Sequence, residues 1–451
     1  MVLAALGCAP QGPYRPDTTA TDTFVADPQL CPELKSPSKH EITVAYVEID
    51  EQGYFQDRPQ VERALALAAA AGKPKYIVVF VHGWFHNAAL TDKNVERFKC
   101  ALNNLQSIDG NAEEEVIGIY VGWRGESWTL PLVRYTTFWD RKNTSDEIGR
   151  GSLVEFLTRL ERVTKPDPQS RNKLMLVGHS FGASVVFNSM SQILLARFLL
   201  DAEKLAAEGT GPAHSQSKPG LVSGYGDLVV LVNPAIEATR IMPFFGALNE
   251  FTVKQYSAKQ IDLFAPGQPP RLVILSSEGD GATRGTFPIA RVFSTLLESY
   301  QDRTLRTPYG GGLEVRERYF DRQTMGNVPE LQTHGPLKSG PSPWDGKCPP
   351  VDPGWLPKVI EERKAEQRRK GEPETGAGWS TTLDGTTINL THRGITTPSN
   401  PLWIMAVGTN LIPDHSGIAD PIMICLFDQL LGDPKVAERE GERHQQHLRG
   451  R

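Results

Sequence analysis

Apolar residues along the first two thirds of the chain fall into short runs separated by helical stretches. Tyr76–Val81 (YIVVFV) and Val116–Val121 (VIGIYV) are unbroken and rich in β-branched residues, the pattern of strands covered on both faces. Glu41–Asp50 (EITVAYVEID) alternates like a strand, and Leu174–Val177, Leu228–Val232, Leu272–Leu275 and Trp403–Val407 complete the strand set. Between them Pro59–Ala71, Asn94–Leu105, Asp146–Val163, Ala183–Leu199 and Pro421–Leu431 carry helical spacing, clearest at Leu153, Phe156, Leu157 and Leu160. Strand and helix alternating this often predict an α/β fold, a mostly parallel sheet with helices on both faces.

Some segments break the rhythm. Residues 9–38 are rich in Pro, Thr and Asp and read as a tether, so 1–38 forms a leader-like segment. Arg124–Asn143 is irregular and aromatic, with Trp123, Trp128, Leu130, Leu132, Tyr135 and Phe138 as candidates for an apolar cap or for ordinary core. Glu203–Tyr225 is Gly- and Ser-rich and reads as a loop. Residues 301–400 are rich in Pro and Gly and read as an insertion before the last strand, and 433–451 as a charged tail.

Composition narrows the class. Hydrophobic residues make up 39% and charged residues 22% of the 451, as in an ordinary globular protein. The net charge of −5 argues against nucleic acid as a partner, because phosphate binding needs a concentrated basic surface. No unbroken apolar run approaches the roughly 18 residues of a membrane-spanning helix.

Five cysteines remain to be placed. Ala5-Leu6-Gly7-Cys8, followed by polar, Pro-rich sequence, resembles the lipobox of bacterial lipoproteins. It implies lipidation at Cys8, anchoring to a membrane surface and a place in the cell envelope, with a cytoplasmic protein as the alternative. Cys100 and Cys425 fall in helical patterns and are expected to be buried thiols. Cys31 and Cys348 lie in Pro-rich loops and are expected to pair with each other. No Cys or His spacing suggests zinc, and no metal or cofactor is expected.

The stretch LMLVGHSFGASVVF puts Ser180 between Gly178 and Gly182 where a strand meets a helix. This is the G-x-S-x-G nucleophile elbow, in which a strained turn lifts the hydroxyl above the sheet and glycines let strand and helix close together. A serine needs a base. His415, in LIPDHSGIADP after the last strand, is the expected one; His334 and His392 fall in the insertion, His444 and His447 in the tail. The acid is expected after Leu272–Leu275, in SSEGDGATR: Asp280 first, Glu278 as the alternative, Glu237 after the preceding strand as a third. In YIVVFVHGWFHNA the backbone N–H of Trp84, beside that of Phe181, is expected to face an oxyanion. His82 is expected to be structural, and Phe85 and His86 to wall a pocket or to pack in the core.

Taken together, the strand-HGW, VGHSFGAS, SSEGDGATR and IPDHSGI segments resemble the α/β-hydrolase superfamily of serine esterases and lipases. The resemblance covers about residues 41–300 and 401–432, within a core domain read as 39–300 and 401–432. It implies an eight-stranded, mostly parallel sheet and a Ser180–Asp280–His415 triad acting on a small-molecule or lipid carboxylic ester. Two features depart from the family: no second strand is evident between Asp50 and Pro59, and the acid-to-base gap is long. An acyltransferase would use the same residues, and a non-catalytic envelope binding protein on the same scaffold is the reading from a different class.

Overall fold

The computed structural model describes residues 12–16, 19–25, 31, 41–108, 111–125, 138–167, 170–208, 221–259, 262–340, 344, 346–350, 352, 354–383 and 386–431. The strands of its central sheet are β1 (Thr21–Phe24), β2 (Ile42–Ile49), β3 (Lys75–Val81), β4 (Glu115–Trp123), β5 (Lys173–His179), β6 (Leu228–Val232), β7 (Leu272–Ser277) and, far along the chain, β13 (Leu402–Val407). Their order is β1-β2-β4-β3-β5-β6-β7-β13. All pair in parallel except β1, which runs antiparallel to β2. The protein is therefore α/β, with a mostly parallel eight-stranded sheet.

Helices cover both faces, as β3, buried at every position, requires. One face meets α1 (Arg58–Ala69), α3 (Phe138–Gly149), α4 (Leu153–Thr164), α5 (Phe181–Glu208) and α6 (Met242–Lys259). The other meets α2 (Lys93–Gln106) and α10 (Pro421–Leu431). The stretch Phe181–Leu205 of α5 is long and apolar enough to cross a bilayer, but it packs on the sheet between α3 and α6. The single helix expected over Asp146–Val163 is in fact two. A Cβ on Gly151 would stand 2.3 Å from the carbonyl oxygen of Gly53, so the loop after β2 passes where a continuous helix would run.

Residues 9–38 are not merely a tether. β1 lies within them, and Arg15 is buried there: its N–H donates to Glu48 Oε1 (2.8 Å) and its Nε to the carbonyl of Ala88 (2.7 Å). β1 is short, polar and half exposed, as sheet edges commonly are, so its composition matches that of a linker. The stretch between Asp50 and Pro59 holds only an isolated bridge from Ile49 to Phe55.

After α7 (Phe287–Ser294), residues 301–400 contain the hairpin β8–β9 (Arg303–Arg306, Gly312–Val315), the short helix α8 (Glu317–Asp321) and α9 (Trp355–Lys370). They also contain a small antiparallel sheet of β10 (Lys338–Ser339), β12 (Ile388–Thr391) and β11 (Ser380–Thr382). This segment shields the free edge of the central sheet. His334 N–H donates to the Ile404 carbonyl (3.3 Å) and Leu337 N–H to that of Ala406 (2.9 Å), which satisfies backbone groups of β13 that an open edge would leave bare.

The Cys31–Cys348 pairing is not formed. Cys31 is bonded to Cys100 on α2, and Cys348 to Cys425 on α10, each with Cα atoms 5.6 Å apart. The helical cysteines are therefore not free thiols. Each non-helical cysteine is thus fastened to a helix, Cys31 to α2 and Cys348 to α10. Cys8 and residues 433–451 lie outside the described residues. Non-reducing peptide mapping should recover Cys31 linked to Cys100 and Cys348 to Cys425, and a Cys31–Cys348 peptide would overturn this pairing. The bridged residues are 69 and 77 apart, and in the chain-entropy picture each bond limits the unfolded chain by about 4 kcal/mol. Reduction should therefore lower the urea midpoint substantially.

Candidate active site

Ser180 stands between the end of β5 and the start of α5 with φ of +56°, a left-handed conformation for a residue with a side chain. Such strain costs on the order of 1–3 kcal/mol. Backbone hydrogen bonds pin the turn: Ser180 N–H donates to Val232 (3.0 Å), and the Ser180 carbonyl accepts from Ala183 (3.1 Å) and Ala235 (3.3 Å). At about 1 kcal/mol each, three such bonds are enough to offset the strain. The glycines are needed for close approach. A Cβ on Gly182 would lie 2.1 Å from the Val81 carbonyl oxygen, and one on Gly178 2.7 Å from Ala183 Cα.

The structure brings the three expected residues together. His415 Nε2 is 2.8 Å from Ser180 Oγ, and His415 Nδ1 is 2.8 Å from Asp280 Oδ2. Asp280 is buried; its carboxylate also accepts from Ala282 N–H (2.8 Å), Thr283 N–H (3.2 Å) and Thr283 Oγ1 (2.7 Å) at the head of a π-helical turn, Ala282–Thr286. Burial alone would raise its pKa, but the hydrogen bonds from His415 and Thr283 outweigh it and hold it below the ordinary value. An ionised Asp280 can only accept, so His415 Nδ1 donates to it. Nε2 of the neutral ring then accepts from the serine hydroxyl.

The other acids are placed elsewhere. Glu278 is exposed on the same turn. Glu237 is buried in ion pairs with Lys142 (3.0 Å) and Arg291 (3.2 Å). His334 and His392 are buried in the insertion, packed edge-to-face with ring centroids 5.3 Å apart.

The loop after β3 comes up beside the serine: a Cβ on Gly83 would lie 2.9 Å from Ser180 Cβ. The Trp84 ring stacks on Phe85 (centroids 4.0 Å) and sits 5.9 Å from that of Phe181. Phe85 has φ of +66° and donates its N–H to the Gly125 carbonyl (3.2 Å). His82 is structural. Its Nδ1 donates to the Gly83 carbonyl (2.9 Å) and its Nε2 accepts from Trp123 N–H (3.0 Å), while burial pushes its pKa down to about 4. Trp123 stacks on His82 and is part of this support, not of a cap. His86 is held by Asp92 (3.0 Å), the residue that caps α2. Trp128, Leu130, Leu132 and Tyr135 lie outside the described residues, and Phe138 opens α3.

Several supporting residues escaped the sequence reading. The His415 carbonyl accepts from His179 Nε2 (2.6 Å) and from Asn233 Nδ2 (3.0 Å), while Asn233 Oδ1 accepts from Ser277 N–H (2.8 Å). Asn233 has φ of +46°. The one available signal was an asparagine directly after LVVLV, at the carboxyl end of a strand. Asn327, from the insertion, donates to Thr283 Oγ1 (3.2 Å) and so supports the acid from behind. Among the described residues no group of three or more His, Cys, Asp or Glu is placed to hold a metal ion.

No family model, curated protein or solved structure matches the chain.

His179 gives a pH test of this support. Burial, with His415 beside it, pushes its pKa down to about 3, so the ring is neutral in the fold. The unfolded chain protonates it below about pH 6.5, so its contribution to stability is lost as pH falls from there toward the folded value. By pH 5 the loss is about 2 kcal/mol. His179→Gln keeps a donor for the His415 carbonyl and removes the titration. Its drop in unfolding free energy between pH 7.5 and pH 5 should be smaller than wild type by about 2 kcal/mol. An equal drop would show that His179 titrates normally in the fold.

Proposed function

We propose that the chain is a serine hydrolase of the α/β-hydrolase superfamily, cleaving carboxylic esters through an acyl-enzyme. The observation that carries this reading is the continuous line from Asp280 through His415 to Ser180, two hydrogen bonds of 2.8 Å ending on a hydroxyl held in a left-handed turn. The sheet order with parallel strands converging on that turn supports it.

In this mechanism Ser180 Oγ attacks the ester carbonyl carbon while its proton passes to His415 Nε2. Asp280 stays ionised, keeps the ring in the required tautomer and stabilises the imidazolium. The developing oxyanion faces the backbone N–H groups of Phe181, the first residue of α5, and Trp84. The carbon–oxygen bond to the alcohol then breaks, and the leaving oxygen takes the proton from Nε2. Water repeats the sequence on the acyl-enzyme, with His415 again as base, and releases the carboxylic acid. No step calls for a cofactor.

The two cystines support a place in the cell envelope, because disulfides persist in oxidising compartments. Lipid attachment at Cys8 belongs to the same reading. Recovery of the protein wholly in the soluble fraction with Cys8 unmodified by mass spectrometry would remove the anchor.

Labelling with a fluorophosphonate, followed by esters of graded chain length, tests the chemistry. Ser180→Ala should lose labelling and turnover while melting normally. His415→Ala and Asp280→Asn should each lose roughly 10⁴-fold or more in kcat. Glu278→Gln, at an exposed site, should stay near wild type. Undiminished labelling of Ser180→Ala would sink the proposal, and greater sensitivity at Glu278 than at Asp280 would reassign the acid.

A further inference from the structure

On the face of the sheet covered by α2 and α10, the two helices leave a slot between them. Its walls are Phe80, Val177, Phe98, Leu102 and Phe427, and its volume is about 50 Å³. On the measure by which one water needs about 10–15 Å³, this is room for roughly four waters, or a chain of four or five methylenes.

Two polar residues interrupt the apolar lining. Asn94, only 4% exposed, borders the slot, and its Nδ2 is buried with no acceptor. A buried donor left unpaired costs free energy that an incoming acceptor would recover. Arg97, one helical turn further along α2, also borders the slot and is exposed. An amide donor and a guanidinium bordering an otherwise apolar slot suit an anionic head on an alkyl tail. A carboxylate matches both, accepting from Asn94 and pairing with Arg97.

The slot also reaches the loop that carries His415. Ile418 and Ala419 line it, three and four residues beyond His415, and Val232 precedes Asn233, which holds the His415 carbonyl. A ligand there would bear directly on the loop that carries the base.

We propose that this slot binds a short-chain alkyl carboxylate, of about six carbons, at a site separate from Ser180 and coupled to the His415 loop. Binding itself does not depend on the proposed hydrolysis. Only the corollary does: if esters are cleaved, an acid product of that length occupies a second site beside the base.

The test is calorimetric titration of hexanoate into the full chain bearing Ser180→Ala, with acetate as the control lacking a tail. Hexanoate should bind at one site and acetate should not. Arg97→Gln should weaken hexanoate about 10-fold, the loss of one charge-assisted contact, while leaving hexan-1-ol binding unchanged. Ala101→Phe, which fills the slot from α2, should abolish both. Because Arg97 is exposed, its variant decides the matter if Ala101→Phe fails to fold. Absence of hexanoate binding at millimolar concentration, or binding unaffected by Arg97→Gln, would overturn the proposal. Failure of fluorophosphonate labelling would instead count against the hydrolase reading and leave this titration interpretable.

Discussion

The site depends on how closely β3, β5 and the start of α5 can approach. The constraint is steric and local. A side chain at Gly182 would collide with the backbone at Val81 and His82, and one at Gly83 with Ser180 itself. Across these close contacts the chain turns from β5 into α5 through a left-handed residue at Ser180. The strained residue thus sits where two parallel strands and a helix pack at backbone distance. That same turn puts the hydroxyl at the carboxyl edge of the sheet, where the loops after β7 and β13 also end.

Asp280 and His415 come from loops separated by a long stretch of sequence, so their alignment cannot come from local chain geometry. It comes from direct packing of one loop on the other. A Cβ on Gly279 would lie 2.3 Å from the Pro413 carbonyl oxygen, and Ser277 Oγ donates to the Ile412 carbonyl (2.6 Å). His179 and Asn233 then fix the His415 carbonyl from β5 and β6. Three neighbouring strands therefore contribute to placing one imidazole. The residues that intervene in sequence between acid and base also contribute, shielding β13 at its edge and reaching Thr283 through Asn327.

Much of this was legible in the chain. Leu228–Val232 and Pro421–Leu431 have in the structure the bounds their apolar patterns indicate, and Ser180, Asp280 and His415 meet. The element bounds and the candidacy of each residue are encoded locally, by runs buried on both faces or by a polar residue after a strand's carboxyl end, while the alignment of the three is not. What was illegible is encoded by partners distant in sequence. TDTF becomes a strand only because β2 offers it an edge. The break at Gly151 exists because Gly53 passes there. Cysteine pairing follows nearness in space to α2 and α10, and spacing does not reveal that. His179 reads as the variable position of a motif until its acceptor, 236 residues away, is known.

The two cystines fall on α2 and α10, the helices that border the slot beneath the base loop. This is mechanically consequential. A gap between two helices on a sheet ordinarily closes by sliding of one helix toward the other, because unfilled apolar volume forfeits dispersion contacts. Here each helix is also tied covalently to a cysteine outside it, α2 to Cys31 and α10 to Cys348 in the insertion. A slide of either helix would have to move its bonded partner as well. Cys31 and the insertion, though remote in sequence from Ser180, are thereby bonded to the two helices that border the slot beside the His415 loop.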